Sequence, residues 1–282
     1  MEWLCLHGLR TKDFKEGGKI LRLHLFRPVS LILGIVLLSA LILPVMSVAE
    51  EILHLYGPGG PYPAMREATA VFGKRYNVKI EVVVGPTNQW AEKAKSDADL
   101  IYSGSEYMMT DLIRVLEGKI DETTVKPLYL RPSAILVRRD NPKKIQDFPD
   151  LLEKGMKVLV VSGAGQIGLW EDVAGKQGDI ERVRAFRKNI SVYASDSAEA
   201  KKRWIENREL DAWLTWVIWA VSDPTLADVV PIGDEYVIYR DCGIALTHQG
   251  KAKALAQNFI EFLESAESAK VFEKWGWVTE TK

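Results

Sequence analysis

Three short turns carry the residues best suited to hold a small charged group. They are Tyr56-Gly57-Pro58-Gly59-Gly60-Pro61-Tyr62-Pro63, Ser103-Gly104-Ser105-Glu106 and Ser162-Gly163-Ala164-Gly165-Gln166. Glycine lets a backbone approach a ligand closely, and the first turn of a following helix offers unpaired N–H groups to an anion. Ser103 and Ser105 add hydroxyls, although Ser105 equally suits a helix N-cap. Any one such turn is more often only a turn. Three in corresponding places, spread over both halves of the chain, point to a two-sided oxyanion site. Its candidates are Gly59, Gly60, Tyr62, Ser103, Gly104, Ser105, Gly165 and Gln166.

The second group is cationic. Arg131 lies in Tyr129-Leu130-Arg131-Pro132-Ser133, and Arg240 lies in Tyr239-Arg240-Asp241. A single arginine is ordinarily a solvated charge or an ion-pair partner. These two fall where the chain is expected to cross between halves, and a guanidinium grips carboxylate or phosphate bidentately. Ser133 adds a hydroxyl there. Trp213, Trp216 and Trp219 recur at every third position, and Trp219 reads as core. Thr215 and Trp216 fall at a strand end, where a hydroxyl and an indole N–H can face a cleft.

Several chemistries find no support. The first turn is neither a dinucleotide fingerprint nor a P-loop, and the chain holds no G-x-S-x-G elbow and no H-E-x-x-H. Glu106, Glu171 and Asp172 have nothing to order them as a catalytic carboxylate pair. Cys242 reads as a buried, inert thiol. No catalytic residue, cofactor or metal is expected.

The elements that must position these residues alternate. Strands are expected at residues 51–56, 78–84 and 98–102, separated by helices at 64–76, 90–95 and 107–117. Met65, Ala68, Val71 and Phe72 share one face of the first helix. In the second half, strands are expected at 134–139, 157–161, 190–194, 211–215, 236–239 and 243–247. Helices are expected at 148–154, from 167 to 175, at 197–207, at 251–265 and at 266–274. Repeated strand–turn–helix units predict an α/β fold with two units, one before about Leu130 and one after about Pro132. Ligands of open α/β sheets sit outside the carboxyl ends of the strands, where the glycine turns fall.

Composition sets the setting. The chain has 282 residues, 47% hydrophobic and 27% charged, ordinary for a globular protein of one or two domains. Its 37 basic and 38 acidic residues give no reason to expect a nucleic-acid partner. Residues 1–28 hold six basic side chains, residues 29–43 hold no charge, and Ser47 and Ala49 end the run. This pattern reads as a signal peptide over 1–49, cleaved after Ala49, and places the protein in the periplasm. The remaining 233 residues carry 31 basic against 35 acidic side chains, with Cys242 alone and two histidines. They can form no intramolecular disulfide.

Several stretches together resemble the type II periplasmic solute-binding proteins. Within that group the accessory colonization factor AcfC family, itself similar to sulfate- and molybdate-binding proteins, is the nearer likeness. The likeness rests on residues 56–61, on 97–108 (DADLIYSGSEYM), on Arg131-Pro132-Ser133, on 168–172 (GLWED) and on Trp275-Gly276-Trp277. Val137-Arg138-Arg139-Asp140-Asn141-Pro142-Lys143 is similar to a sulfate-binder stretch, with Asp140 in place of glycine. The resemblance implies two lobes, each a mostly parallel sheet flanked by helices, joined by two crossing segments. Lobe 1 would be residues 50–132 plus 241–282, and lobe 2 residues 133–240. It also implies capture of a small anion for an ABC permease or a membrane sensor, with a homodimer left open. Relatives include a phosphoglycerate- and citrate-binding surface antigen. Arg131 and Arg240 in the cleft favour such phosphorylated or carboxylated organic anions over sulfate or molybdate. Two other readings stand beside it: a surface colonization factor with a vestigial cleft, and an enzyme on the same fold using Cys242.

Overall fold

The computed structural model describes residues 51–279; the signal-peptide assignment for 1–49 lies outside them. Strand β1 (Ile52–Gly57) is followed by a helix, Tyr62–Tyr76, then β2 (Lys79–Val84) and a second helix, Thr87–Asp97. The first helix buries Ala64, Met65, Ala68, Thr69 and Phe72, a stripe at helical spacing. It stops where Asn77 turns left-handed at φ 50°. Strand β3 (Leu100–Tyr102) leads to the helix Glu106–Val115. Both β2 and β3 run parallel to β1.

Strand β4 (Lys126–Val137) is much longer than the expected 134–139. Pro127 and Pro132 hide it in the sequence, because proline reads as a strand breaker. Pro127 sits at a register shift, and Pro132 is the last β4 residue paired with the return strand. The next strands are β5 (Val158–Val161), β6 (Ile190–Ala194), β7 (Ala212–Trp216) and β8 (Asp228–Val230). Strand β5 is buried along its whole length and lies parallel to β6 and β7. Its apolar VLVV run fits a strand covered on both faces.

The return strand β9 is continuous over Tyr239–Leu246. The expected separate strands at 236–239 and 243–247 are therefore one element, preceded by a turn at Gly233–Val237. The nine strands form one sheet in the order β2-β1-β3-β9-β4-β7-β5-β6, with β8 beside β4. Strand β4 pairs with β9 through Pro132 and with β7 from Ser133 onward. A single strand thus belongs to both halves of the sheet.

Apolar side chains collect on either side of that join. Two clusters draw on residues 53–129 and 242–277, and two on residues 135–236. Trp275 packs against one cluster of each pair. The helix Ile180–Asn189 and β8 are additions to the sequence-based expectation. Among the described residues, no helix is long and apolar enough to cross a membrane.

The helix expected at 251–265 is two, His248–Lys251 and Ala254–Leu263. Gly250 fixes where the first of them lies. A side chain there would place its Cβ 1.9 Å from the Asp99 carbonyl oxygen, so the short helix lies directly on the β3 approach. Lys253 then leaves helical geometry and reaches the buried Asp99 carboxylate at 2.8 Å. Gly250→Ala forces backbone against backbone. It is expected to cost about 1–3 kcal/mol of stability, read as a lower urea midpoint.

Candidate functional site

Arg131 lies on β4 just before the switch of partners, opposite Arg240 of β9. Its side chain is buried, at 4% exposure. The guanidinium carbon lies 4.4 Å from the Trp216 ring centre and 5.2 Å from that of Trp277. One Nη donates to the Gly104 carbonyl at 2.5 Å. The Nε has no partner, and among the described residues no carboxylate lies within ion-pair distance. Burial lowers the group to about 10, which leaves it a cation at neutral pH.

All three glycine turns meet this guanidinium. A Cβ on Gly60 would lie 2.6 Å from one Nη, and a Cβ on Gly104 2.8 Å from the other. A Cβ on Gly165 would be 3.4 Å from that second Nη and from the Gly104 carbonyl oxygen. Glycine is needed here because the neighbouring space is filled by the cation.

A cavity of about 290 Å³ opens beside it. Of the candidates named from the sequence, Gly59, Gly60, Gly104, Arg131, Gly165, Gln166 and Trp216 line it. Pro58, Pro61, Met108 and Trp219 give much of its wall an apolar character. Trp219, read as core, stacks on Trp213 with centroids 6.3 Å apart and also faces the cavity. Pro61 and Pro86, also in the wall, precede helices that have no side-chain cap. Gln166 is held in place: the Thr215 hydroxyl donates to its Oε1 at 3.0 Å, and its Nε2 donates to Ser197 at 2.9 Å. Thr215 therefore orients a cavity residue without lining the cavity itself.

The other candidates fall elsewhere. Ser105 caps the helix Glu106–Val115 by accepting from the Met108 N–H at 3.1 Å. Ser133 accepts from the Ile238 N–H at 2.9 Å and so ties β4 to the lead-in of β9. The Ser103 hydroxyl is buried against Gly243 and has no partner. Tyr62 lies beside Arg66, at a separate surface depression. Arg240 pairs with Asp172 and borders a second groove with Glu106, Tyr107 and Asp241. Cys242 is fully buried, and burial pushes its thiol well above the usual range, the opposite of an activated nucleophile.

Asp196, Ser197, Ala198 and Lys201 line the cavity and were not anticipated. A signal was present. Residues 163–168 read G-x-G-x-x-G after a parallel strand, and Asp196 lies two residues past the end of β6, the neighbouring strand. That arrangement brings a carboxylate to a glycine turn at a sheet's carboxyl edge.

Gly60→Ala displaces the guanidinium, because the methyl and the Nη cannot share the space. Its expected effect is at least a tenfold loss of affinity for whatever occupies the cavity, with the chain still folded, measured by calorimetry and circular dichroism.

Residues 53–278 match the bacterial extracellular solute-binding protein family. The structure of PEB3 with L-phospholactate bound is 33% identical, with a TM-score of 0.76 over 81% of this chain and 100% of that one. Peb3 from Campylobacter jejuni is 32% identical with a TM-score of 0.75, over the same shares. The sulfate-binding protein SubI from Mycobacterium tuberculosis H37Rv shares the fold at 18% identity, with a TM-score of 0.68 over 81% of this chain and 86% of that one. No curated protein sequence matches the chain. With a mixed α/β fold shared with periplasmic binding proteins and a family match spanning residues 53–278, the chain belongs to the bacterial extracellular solute-binding proteins.

Proposed function

We propose that this is a periplasmic binding protein, akin to the AcfC family, that captures a phosphorylated or carboxylated organic anion for an ABC transporter or a membrane sensor. The observation that carries this reading is Arg131: a buried cation with no carboxylate partner among the described residues, at the wall of a cavity. A buried charge left unpaired costs several kcal/mol, and a bound anion offsets that cost. The cavity, at about 290 Å³, has room for a carbon skeleton beyond one tetrahedral oxyanion. It falls just below the ~300 Å³ at which pockets for larger ligands begin. Its proline, methionine and tryptophan walls suit the carbon part of such a ligand. PEB3 bound to L-phospholactate supports the same class.

The lobes of this reading are residues 50–132 plus 241–282 and residues 133–240, with β4 and β9 as the crossings. The four apolar clusters divide in keeping with those boundaries. Arg131, Gly60, Gly104, Gly165 and Gln166 hold the anionic group, and Trp216 and Trp219 flank the rest.

The test uses thermal shift with phosphoglycerate, phospholactate, citrate, sulfate, molybdate and phosphate. Organic anions are expected to raise the melting temperature, by about 2.7 kcal/mol of stabilisation at a hundredfold excess over Kd. Arg131→Met should abolish that shift while making the unliganded chain more stable by about 1–4 kcal/mol. No shift with any anion would sink the reading. A shift with sulfate or molybdate alone would move it to inorganic oxyanions.

A further inference from the structure

The cavity is not uniformly cationic. Part of its wall is formed by Asp196, Ser197 and Lys201. Asp196 is the N-cap of the helix Ser197–Glu206, and its Oδ1 accepts from the Ala198 and Glu199 amides at 2.8 and 2.9 Å. Among the described residues its Oδ2 has no hydrogen bond and no ion pair. The Ser197 hydroxyl accepts from Gln166 and keeps its own proton free. The Lys201 ammonium is held 3.2 Å from Asp223 Oδ2 rather than paired with Asp196, and it remains a positive charge in the wall.

This wall therefore offers a ligand an open carboxylate oxygen beside a paired cation. An open carboxylate repels a second anionic group brought against it and rewards a hydrogen-bond donor. Lys201 on the same wall disfavours an ammonium as that donor, which leaves a neutral hydroxyl. The topology supports the assignment. A carboxylate just past the end of one parallel strand, beside the glycine turn that ends the next, is how dinucleotide folds hold a ribose hydroxyl. Here β6 supplies Asp196, and β5 ends in the turn at Gly163–Gly165.

We propose that Asp196 accepts a hydrogen bond from a hydroxyl group of the ligand, so that the cavity selects hydroxylated organic anions over their deoxy counterparts. The inference rests on the organic-anion reading above and narrows it. Arg131 takes the anionic group, Asp196 reads the hydroxyl, and the apolar walls take the carbons between.

Calorimetry with pairs that differ only in that hydroxyl tests it: citrate against tricarballylate, malate against succinate, and 3-phosphoglycerate against the phosphate ester of 3-hydroxypropionate. The chain is expected to prefer the hydroxylated member of the pair it binds by roughly tenfold or more, as for a hydrogen bond to a charged acceptor. Asp196→Ser keeps a capping oxygen for the helix but removes the free one, and should bring the ratio to about one. A merely structural role for Asp196 would weaken both members equally and leave the ratio intact, which overturns the proposal. Equal binding of both members by the unsubstituted chain overturns it as well, while the organic-anion reading stands. Binding of no anion at all overturns both.

Discussion

The site depends on one cation that the fold buries without a carboxylate to answer it. Removing a guanidinium from water costs several kcal/mol even after relaxation. Arg131 recovers part of this from a hydrogen bond to the Gly104 carbonyl and from the faces of Trp216 and Trp277. It does not recover the rest. Asp241, on the adjacent strand, spends one oxygen on the Glu106 amide and is not within ion-pair distance. Among the described residues, no carboxylate makes an ion pair with this charge.

That constraint runs outward into the architecture. Three separate turns must reach the same guanidinium, so the strands that carry them have to end on the same side. Parallel pairing of β1 with β3 sends the first two turns there, and β5 brings the third from the other half of the sheet. Strand β4 must be continuous, because the residue that all three turns meet lies in the middle of it. Pairing with β9 on one stretch and with β7 on the next fixes its backbone on both sides of Arg131. Without a disulfide, the join is held by packing. Trp275 touches a cluster on each side, and Val278 exchanges backbone hydrogen bonds with Leu130.

The sequence made the glycine turns and Arg131 legible because their chemistry is local. A glycine between a strand and a helix marks a close approach whatever the approach is to. What approached could not be read. The glycines make room for Arg131 as well as for a ligand, and that depends on packing across the sheet. Hydroxyls were the least legible. Ser105, Ser133 and Thr215 were equally plausible as ligand donors, but their oxygens go to Met108, Ile238 and Gln166. A hydroxyl at a strand or helix end competes for the nearest backbone group first. Arg240 sits directly across from Arg131 in the pairing, yet its side chain goes to Asp172, because two guanidiniums would repel in one small space. Asp196 gave no signal of its own: it caps a helix through one oxygen only, and which wall it joins depends on the sheet's topology.

Charge over the whole surface cannot do the work of capture. Residues 50–282 carry a net charge of -4, which at long range opposes an anion rather than drawing it in. At physiological ionic strength that field decays over ~8 Å, so an approaching anion feels little of it until it reaches the cavity. Inside, the dielectric is lower and the groups are fixed. One buried cation then outweighs the dispersed surface charges, because attraction grows as water is excluded. The half-buried Asp196 in the same wall adds a second demand. On the reading proposed above, a symmetrical inorganic oxyanion answers Arg131 alone, whereas an anion with a hydroxyl on its carbon frame answers both groups.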